Sequence, residues 1–232
     1  LPGKVLLTWK RKTILQHVYE RTVASGAQEV VVATDSQKIL EVATGFDAVV
    51  ELTAKTIESG TDRVAYAAAA RGEDPDTIIV NVQGDEPLMP AAVIAQVARA
   101  IGDATQNCDI ATACEPLDIH QLTDPNVVKL TRDADQRALY FSRAPIPWPR
   151  ESFDGKRLEV TAEVDFSIFR RHVGIYSYRK SFLDKFVKMR RGPLEQVEML
   201  EQLRALENGA VIRCVDALAG CGFGIDTQGD LD

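Results

Sequence analysis

The chain has 232 residues, of which 45% are hydrophobic and 26% charged, and its formal net charge at pH 7 is −7. This length suits a single α/β domain spanning residues 1–232, with a substantial buried core. No apolar run is long enough to cross a bilayer, which argues against a membrane protein. The acidic balance argues against a nucleic-acid partner, because that binding depends on Lys and Arg neutralising phosphates. A small anionic ligand held by a few local cations is compatible with this charge.

The cysteines and the start of the chain give indications of the cellular compartment. The four cysteines show neither a CxxC pair nor zinc-finger spacing, so we expect free thiols, which favours a reducing cytoplasm. No signal peptide is visible. Because the chain begins at Leu1 rather than at methionine, we expect its native N-terminus to lie upstream.

The first half of the sequence alternates helix and strand patterns. Apolar spacing predicts helices over residues 13–24, 64–70 and 91–101, a short helix around Ile39, and strands over residues 29–34, 47–52 and 77–82. Asp35 and Ser36 precede the short helix, where one of them caps it or Asp35 contacts a ligand. This alternation predicts a Rossmann-like doubly wound, mostly parallel sheet. No GxGxxG motif follows a strand, so the sequence does not support a dinucleotide-dependent dehydrogenase.

The turn after the strand over residues 77–82 carries two carboxylates, Asp85 and Glu86. Gly84 lets the backbone come close to a ligand, and Pro87 ends the strand. Because ligands of open α/β sheets bind at strand ends, the turn is a candidate metal or ligand site. The alternative is an ordinary acidic turn.

Two loops in this half have features of phosphate-binding sites. Lys4 follows a Gly-containing turn, and the motif SGTDR at residues 59–63 places small residues and Arg63 ahead of a helix. Backbone N–H groups at a helix start can hold a phosphate, and a planar guanidinium can hold a phosphate or a base edge. The alternatives are a solvated terminal lysine and a helix that Thr61 simply caps.

The elements become shorter beyond residue 108. Short strand patterns joined by polar turns predict an antiparallel extension of the sheet. Three alternating prolines make residues 141–149 a stiff extended arm. Ile146 and Trp148 on this arm either form a subunit contact or pack against the chain's own core.

A helix is predicted over residues 194–206, because apolar residues recur at every third position. Its other face holds Glu198 and Gln202, which either bind vicinal hydroxyls or form a solvated acidic face. Further along, a Gly-rich approach leads to Asp226. Together with Asp85 it supplies two acids from separate loops, an arrangement suited to holding Mg²⁺ against a triphosphate.

Seven motifs, in order along the chain, closely resemble those of the CMP-KDO synthetases, the 3-deoxy-manno-octulosonate cytidylyltransferase family. They are LPGK (1–4), SGTDR (59–63), VNVQGDEP (80–87), ALYFSRAPIPW (138–148), RHVGIY (171–176), PLE with EMLEQLR (193–204) and GIDT (224–227). The resemblance implies a nucleotide-diphospho-sugar transferase-like fold. It also implies transfer of CMP from CTP to the anomeric hydroxyl of KDO, which releases pyrophosphate and activates KDO for lipopolysaccharide synthesis.

The same resemblance implies the roles of individual residues. Asp85 and Asp226 hold Mg²⁺, and Lys4 meets the β- and γ-phosphates. The cytidine side is formed by Ser59, Gly60, Arg63 and Gln83. The sugar side is formed by Arg143, His172, Tyr176, Glu198, Glu201 and Gln202. Arg143 is the predicted partner of the KDO carboxylate, because a guanidinium can donate two hydrogen bonds to it. The family further implies a homodimer, with residues 109–178 as a sugar-binding and dimerisation subregion.

The chain departs from the family pattern in three places. The family begins with a strand and an arginine-containing phosphate loop ahead of LPGK, so we expect that segment to be missing here. The motif TWKRK at residues 8–12 replaces a Gly-Lys-Pro turn, and residues 153–169 are longer and different. Two other functions stay open at this point: a sialic-acid-type cytidylyltransferase, and a nucleotide-binding module without catalysis.

Overall fold

The computed structural model describes residues 3–57, 59–102, 107–150 and 165–222. The strands are β1 (Thr8–Trp9), β2 (Lys12–Thr13), β3 (Val31–Thr34), β4 (Val49–Leu52), β5 (Ile78–Asn81), β6 (Ile110–Pro116), β7 (Lys129–Arg132), β8 (Ala138–Ser142), β9 (Arg170–Arg179) and β10 (Ile212–Asp216). The α-helices are α1 (Ile14–Ala24), α2 (Gln37–Thr44), α3 (Gly60–Ala70), α4 (Ala91–Gly102), α5 (Lys180–Phe186), α6 (Pro193–Glu198) and α7 (Gln202–Glu207). Short 3₁₀ helices form at Lys4–Leu6, Ile119–Gln121 and Phe166–Ile168.

The long strand β9 organises the larger sheet, whose order is β10-β6-β9-β7-β8 with β5 also paired to β9. One edge of β9 pairs antiparallel with β6 from Arg170 to Tyr178. The other edge is shared, because β5 pairs at Tyr176 and beyond, whereas β7 pairs only at Arg170 and Arg171. A short stretch of this edge, around Gly174, therefore lies between the two paired segments.

The smaller sheet is the parallel pair β3–β4. Within the described residues, β3 and β5 are not hydrogen-bonded to each other. Both instead line a cavity of about 800 Å³, whose other walls come from α1, α3 and α4. The β1–β2 hairpin stands apart as a two-residue antiparallel ladder.

The α/β class and the antiparallel extension are confirmed. Parallel pairing is present in β3–β4 and in β10–β6. Antiparallel pairing forms the larger share in the described residues, because β9 runs antiparallel to β5, β6 and β7. The helix predicted over residues 91–101 is also confirmed as α4, and its Val93, Ile94, Val97 and Ile101 are all buried against the sheet.

The prediction of one helix over residues 194–206 is wrong. Helix α6 ends at Glu198, the next residue Met199 is left-handed with a φ of 53° and a ψ of 47°, and α7 starts at Gln202. The guanidinium of Arg204 donates to both carboxylate oxygens of Glu195, at 2.8 and 2.6 Å. In a continuous helix these residues would be separated by a rise of about 13 Å, too far for such a pair, so the break brings them together. The apolar face predicted for this helix therefore does not form, and Val197, which would lie on it, is 83% exposed.

Among the described residues, no helix combines the length and the apolar character that crossing a membrane requires.

Candidate active site

The carboxyl end of β5 brings together Lys4 and Asp85, two residues predicted to handle phosphates and metal. The Lys4 ammonium lies 2.6 Å from Asp85 Oδ2, and the two side chains are 23% and 28% exposed. Gly84, next to Asp85, lies against the side chains of Val5 and Leu15, since a Cβ there would stand 3.6 Å from Val5 and 3.8 Å from Leu15. A cation and a carboxylate therefore share a partly open position at the strand end.

The start of α3 is capped by Ser59, whose Oγ accepts a hydrogen bond from the Asp62 N–H at 3.0 Å. The alternative prediction, that Thr61 caps this helix, is wrong. The Thr61 side chain is 3% exposed, and its hydroxyl donates to Glu201 Oε2. The SGTDR loop thus contacts the segment predicted to bind the sugar.

Arg63 is held by three groups around the end of β4. Its guanidinium donates to Asp35 Oδ2 at 3.2 Å, to the carbonyl oxygen of Ile57 at 3.1 Å and to the hydroxyl of Thr53. Asp35 therefore pairs with Arg63, and Ser36 caps α2 by accepting from a backbone N–H. Of the predicted cytidine residues, Gly60, Arg63 and Gln83 line the same 800 Å³ cavity.

Farther along the same edge of β9, beyond β7, Glu198 is bound to the end of β8. Its carboxylate accepts from the Ser142 hydroxyl at 2.6 Å and from the Arg143 N–H at 2.9 Å. The Arg143 guanidinium donates through Nε to the Glu198 carbonyl and through Nη1 to the Pro125 carbonyl, both at 2.8 Å. Its Nη2 group has no hydrogen bond to a described residue and is therefore available to a ligand.

Sequence reasoning missed Lys129, which lies beneath this cluster. The side chain is completely buried, and its ammonium donates to the carbonyl oxygens of Asp124, Val127 and Arg143 at 2.7, 2.6 and 2.5 Å. Burial lowers the pKa of this ammonium. The available signal was a lysine inside the apolar strand pattern of residues 127–130, where a solvated charge is not expected.

His172, a predicted sugar-side residue on β9, has its ring centroid 5.3 Å from that of Tyr176 and 5.0 Å from that of Phe141. Burial lowers the pKa of His172 to about 3, so the ring is neutral at physiological pH. The Thr112 hydroxyl lies 2.7 Å from the Ile175 carbonyl and 2.9 Å from His172 Nε2. Because the hydroxyl has one proton and gives it to the carbonyl, Nε2 carries the imidazole hydrogen and Nδ1 is an acceptor. Burial also raises the pKa of Tyr176.

Glu201 and Gln202 differ in their surroundings. One oxygen of Glu201 accepts from Thr61, and the other lies 3.5 Å from Arg204 Nη2, which also binds Glu195. Gln202 is 5% exposed, and its Nε2 has no hydrogen-bond partner among the described residues. An unpaired buried amide costs free energy, which is recovered when a ligand supplies the missing acceptor.

Asp226, the second predicted metal ligand, lies outside the described residues. The chain leading toward it is anchored, because Glu115 accepts from the Cys221 N–H at 2.7 Å and Arg171 donates to the Gly222 carbonyl at 2.8 Å. Glu115 and Arg171 also form an ion pair with each other.

The described part of the chain holds no group of three His, Cys, Asp or Glu residues that could by itself bind a metal ion. Asp85 nevertheless offers a partly exposed hard oxygen, the donor type that Mg²⁺ prefers. A site that takes few protein oxygens and completes its coordination with phosphates and water is compatible with one such residue.

A mixed sheet flanked by helices, with a Lys–Asp pair at a strand end and a cavity beside it, is compatible with a nucleotidyltransferase. The chain belongs to the cytidylyltransferase family, whose model matches residues 1–212. It is 48% identical over 233 residues to the 3-deoxy-manno-octulosonate cytidylyltransferase of Thioalkalivibrio sulfidiphilus (strain HL-EbGR7), with 100% of this chain and 91% of that protein covered. The enzyme of the same name from Cellvibrio japonicus (strain Ueda107) is 47% identical, with 100% and 90% covered. The resemblance noted in the sequence motifs is confirmed.

Solved structures agree with these relatives. A structure of CMP:2-keto-3-deoxy-manno-octonic acid synthetase complexed with CTP matches with a TM-score of 0.85 and 35% identity, covering 99% of this chain and 88% of that one. A 4-diphosphocytidyl-2C-methyl-D-erythritol synthase matches with a TM-score of 0.63 at 14% identity, covering 98% and 89%. The second likeness shows the fold alone.

Proposed function

We propose that the chain transfers CMP from CTP to the anomeric hydroxyl of KDO and releases pyrophosphate. The names of its relatives point to this reaction, and one geometric observation supports it. The Lys4–Asp85 pair follows β5 and the Arg143–Glu198 cluster follows β8, the partner of β7, and both β5 and β7 pair with the same edge of β9, the strand that carries His172 and Tyr176. A nucleotide and a sugar acid bound at these places would meet near Gly174.

The chemistry is an in-line attack of the sugar hydroxyl on the α-phosphate, which depends mainly on positioning and charge neutralisation. Lys4 would neutralise the β- and γ-phosphates. Asp85 and Asp226 would hold Mg²⁺, which when bound supplies Lewis-acid stabilisation and lowers the pKa of a coordinated hydroxyl. Because Lys4 pairs with Asp85 in the structure, CTP binding would redirect this ammonium toward phosphate.

The sugar side offers groups suited to a hydroxylated acid. The Nη2 edge of Arg143 would receive the carboxylate, and neutral His172 would accept a hydroxyl proton through Nδ1. Gln202 Nε2 would donate to a hydroxyl oxygen and so gain the partner that it lacks. Glu198 and Glu201 would act chiefly by holding Arg143 and the SGTDR loop in place, since their carboxylates already contact protein groups.

The direct test is pyrophosphate release by the full chain with CTP, KDO and Mg²⁺. We expect turnover with KDO and background release when N-acetylneuraminic acid replaces it or when no sugar is added. Higher turnover with the sialic acid would instead support the sister activity. If pyrophosphate is released with neither KDO nor the sialic acid at saturating CTP, the chain would be a nucleotide-binding module without catalysis, and the proposal would be contradicted.

We also propose a homodimer in the cytoplasm that supplies activated KDO for lipopolysaccharide synthesis. Trp148 on the proline-rich arm is 52% exposed, which suits a subunit contact. All four cysteines are free thiols, which suits a reducing compartment. Light scattering at micromolar concentration would contradict the dimer if it gave the monomer mass, and cell fractionation tests the compartment.

A further inference from the structure

Lys129 is a buried ammonium whose three donors are all used. No part of its side chain is exposed, and its three hydrogen bonds end on backbone carbonyls of Asp124, Val127 and Arg143. Taking a charge out of water is costly unless hydrogen bonds saturate it. An apolar side chain of similar length would fill the same space without that cost, so packing alone does not account for a lysine here.

The three carbonyls belong to the two segments that hold the Arg143 guanidinium. One segment is the loop from Asp124 to Val127, in which Pro125 accepts from Arg143 Nη1. The other is the backbone of Arg143 itself, whose N–H is bound by Glu198. Lys129 thus ties the loop that receives the guanidinium to the backbone from which the guanidinium extends.

We propose that Lys129 is a positioning residue for sugar-acid recognition: it sets the distance between Arg143 and the loop at Pro125, and so aims the remaining Nη2 edge at the substrate carboxylate. Lys129 itself touches no substrate. This inference rests on the proposed function, because it assigns the Arg143 fork to the acid of KDO. A charge-assisted hydrogen bond from Nη2 to the carboxylate depends on geometry within a fraction of an ångström, so loosening either anchor of the guanidinium weakens it.

The charges around Lys129 fit this role. Asp124 and Glu198 favour its charged form, whereas Arg143 opposes it, and burial lowers its pKa. The positive charge beside Arg143 would also strengthen attraction for an anionic carboxylate. Two of these charged neighbours, Arg143 and Glu198, are predicted residues of the sugar side, which is not expected of a lysine with a purely structural role.

The experiment compares Lys129→Met with a matched control, Leu130→Ala, on the same strand. Leu130 is also completely buried, but its side chain forms no hydrogen bonds and so does not hold the loop at Pro125. Its truncation lowers stability through packing alone. For Lys129→Met we expect the KM for KDO to rise about tenfold or more while the KM for CTP changes less than about twofold. For Leu130→Ala we expect a lower melting temperature and unchanged KM values for both substrates.

Lys129→Arg provides a second variant that keeps the charge and the donors. We expect its KM for KDO to lie between those of the wild type and Lys129→Met, again with CTP unaffected. Equal changes for both substrates, or kinetics of Lys129→Met that match those of Leu130→Ala, would overturn the positioning role while leaving the proposed function intact. If the wild type does not turn over KDO at all, the proposed function fails and this inference falls with it.

Discussion

The two sides of the candidate site are built differently. On the nucleotide side, Lys4 and Asp85 form a partly exposed ion pair. On the sugar side, Glu198 and Arg143 are joined to each other by side-chain and backbone hydrogen bonds, above the fully buried Lys129. Partly exposed pairs contribute about 0–1 kcal/mol and are broken at little cost, whereas breaking the hydrogen bonds of a fully buried ammonium such as that of Lys129 costs several kcal/mol. The nucleotide side can therefore rearrange around a triphosphate, while the sugar side is preorganised.

The two sides are joined by a buried polar link. Thr61, in the first turn of α3, donates to Glu201, which in turn lies beside Arg204 and its partner Glu195. The link places the nucleotide loop and the α6–α7 break in contact. Mutations on the sugar side should consequently lower stability, and mutations on the nucleotide side should lower turnover with little change in stability.

The largest expected effect is on stability. Arg204→Leu leaves the carboxylate of Glu195 buried without its bidentate partner, so we expect a loss of about 3–5 kcal/mol in the free energy of unfolding. Urea denaturation measures this loss. The double variant Glu195→Leu/Arg204→Leu should recover much of it, because it removes the uncompensated charge. A loss below about 1 kcal/mol in the single variant would show that the pair is solvated rather than buried.

The next effect is on turnover. Asp85→Asn keeps the shape of the side chain but removes its charge, so we expect kcat to fall about 10²–10³-fold, the size typical of losing one electrostatic contact in a transition state. The melting temperature should stay within a few degrees, because the Lys4–Asp85 pair is partly exposed. Wild-type kcat at limiting Mg²⁺ would refute the metal and phosphate assignment.

A smaller effect concerns acid stability. The pKa of His172 is about 3 in the folded chain and about 6.5 when unfolded, so the unfolded state binds the proton first as pH falls. The stability that neutral His172 contributes is therefore complete above pH 6.5 and declines between pH 6.5 and 3. Between pH 7 and 5 we expect a decline of about 2 kcal/mol from this residue, absent in His172→Gln. If the urea midpoints of the wild type and of His172→Gln fell equally between pH 7 and 5, the low pKa of His172 would be contradicted.

Part of this architecture follows from local sequence rules. The strand β5 and the helix α4 are both confirmed, and α4 buries its apolar face, whereas the β-branched residues of β5 are only partly buried. The motif order also identifies the family, which the family model over residues 1–212 and a relative 48% identical over 233 residues confirm.

Other features depend on contacts between residues that are distant in sequence. The break at Met199 exists because Glu195 and Arg204 pair across it, and periodicity alone treats Glu195 as a solvated surface residue. Lys129 was invisible for a similar reason, since its three acceptors are backbone carbonyls that no side-chain pattern reveals. The role of Asp226 remains a prediction, because this residue lies outside the described part of the chain.

The most direct test of the two-sided account is the kinetics of Arg143→Lys with both substrates. Lysine keeps the charge but loses the planar fork, so it can no longer hold the Pro125 and Glu198 carbonyls and a carboxylate together. We expect the KM for KDO to rise about tenfold or more and the KM for CTP to stay within about twofold of the wild-type value. Equal weakening of both substrates would contradict the separation of a sugar side from a nucleotide side.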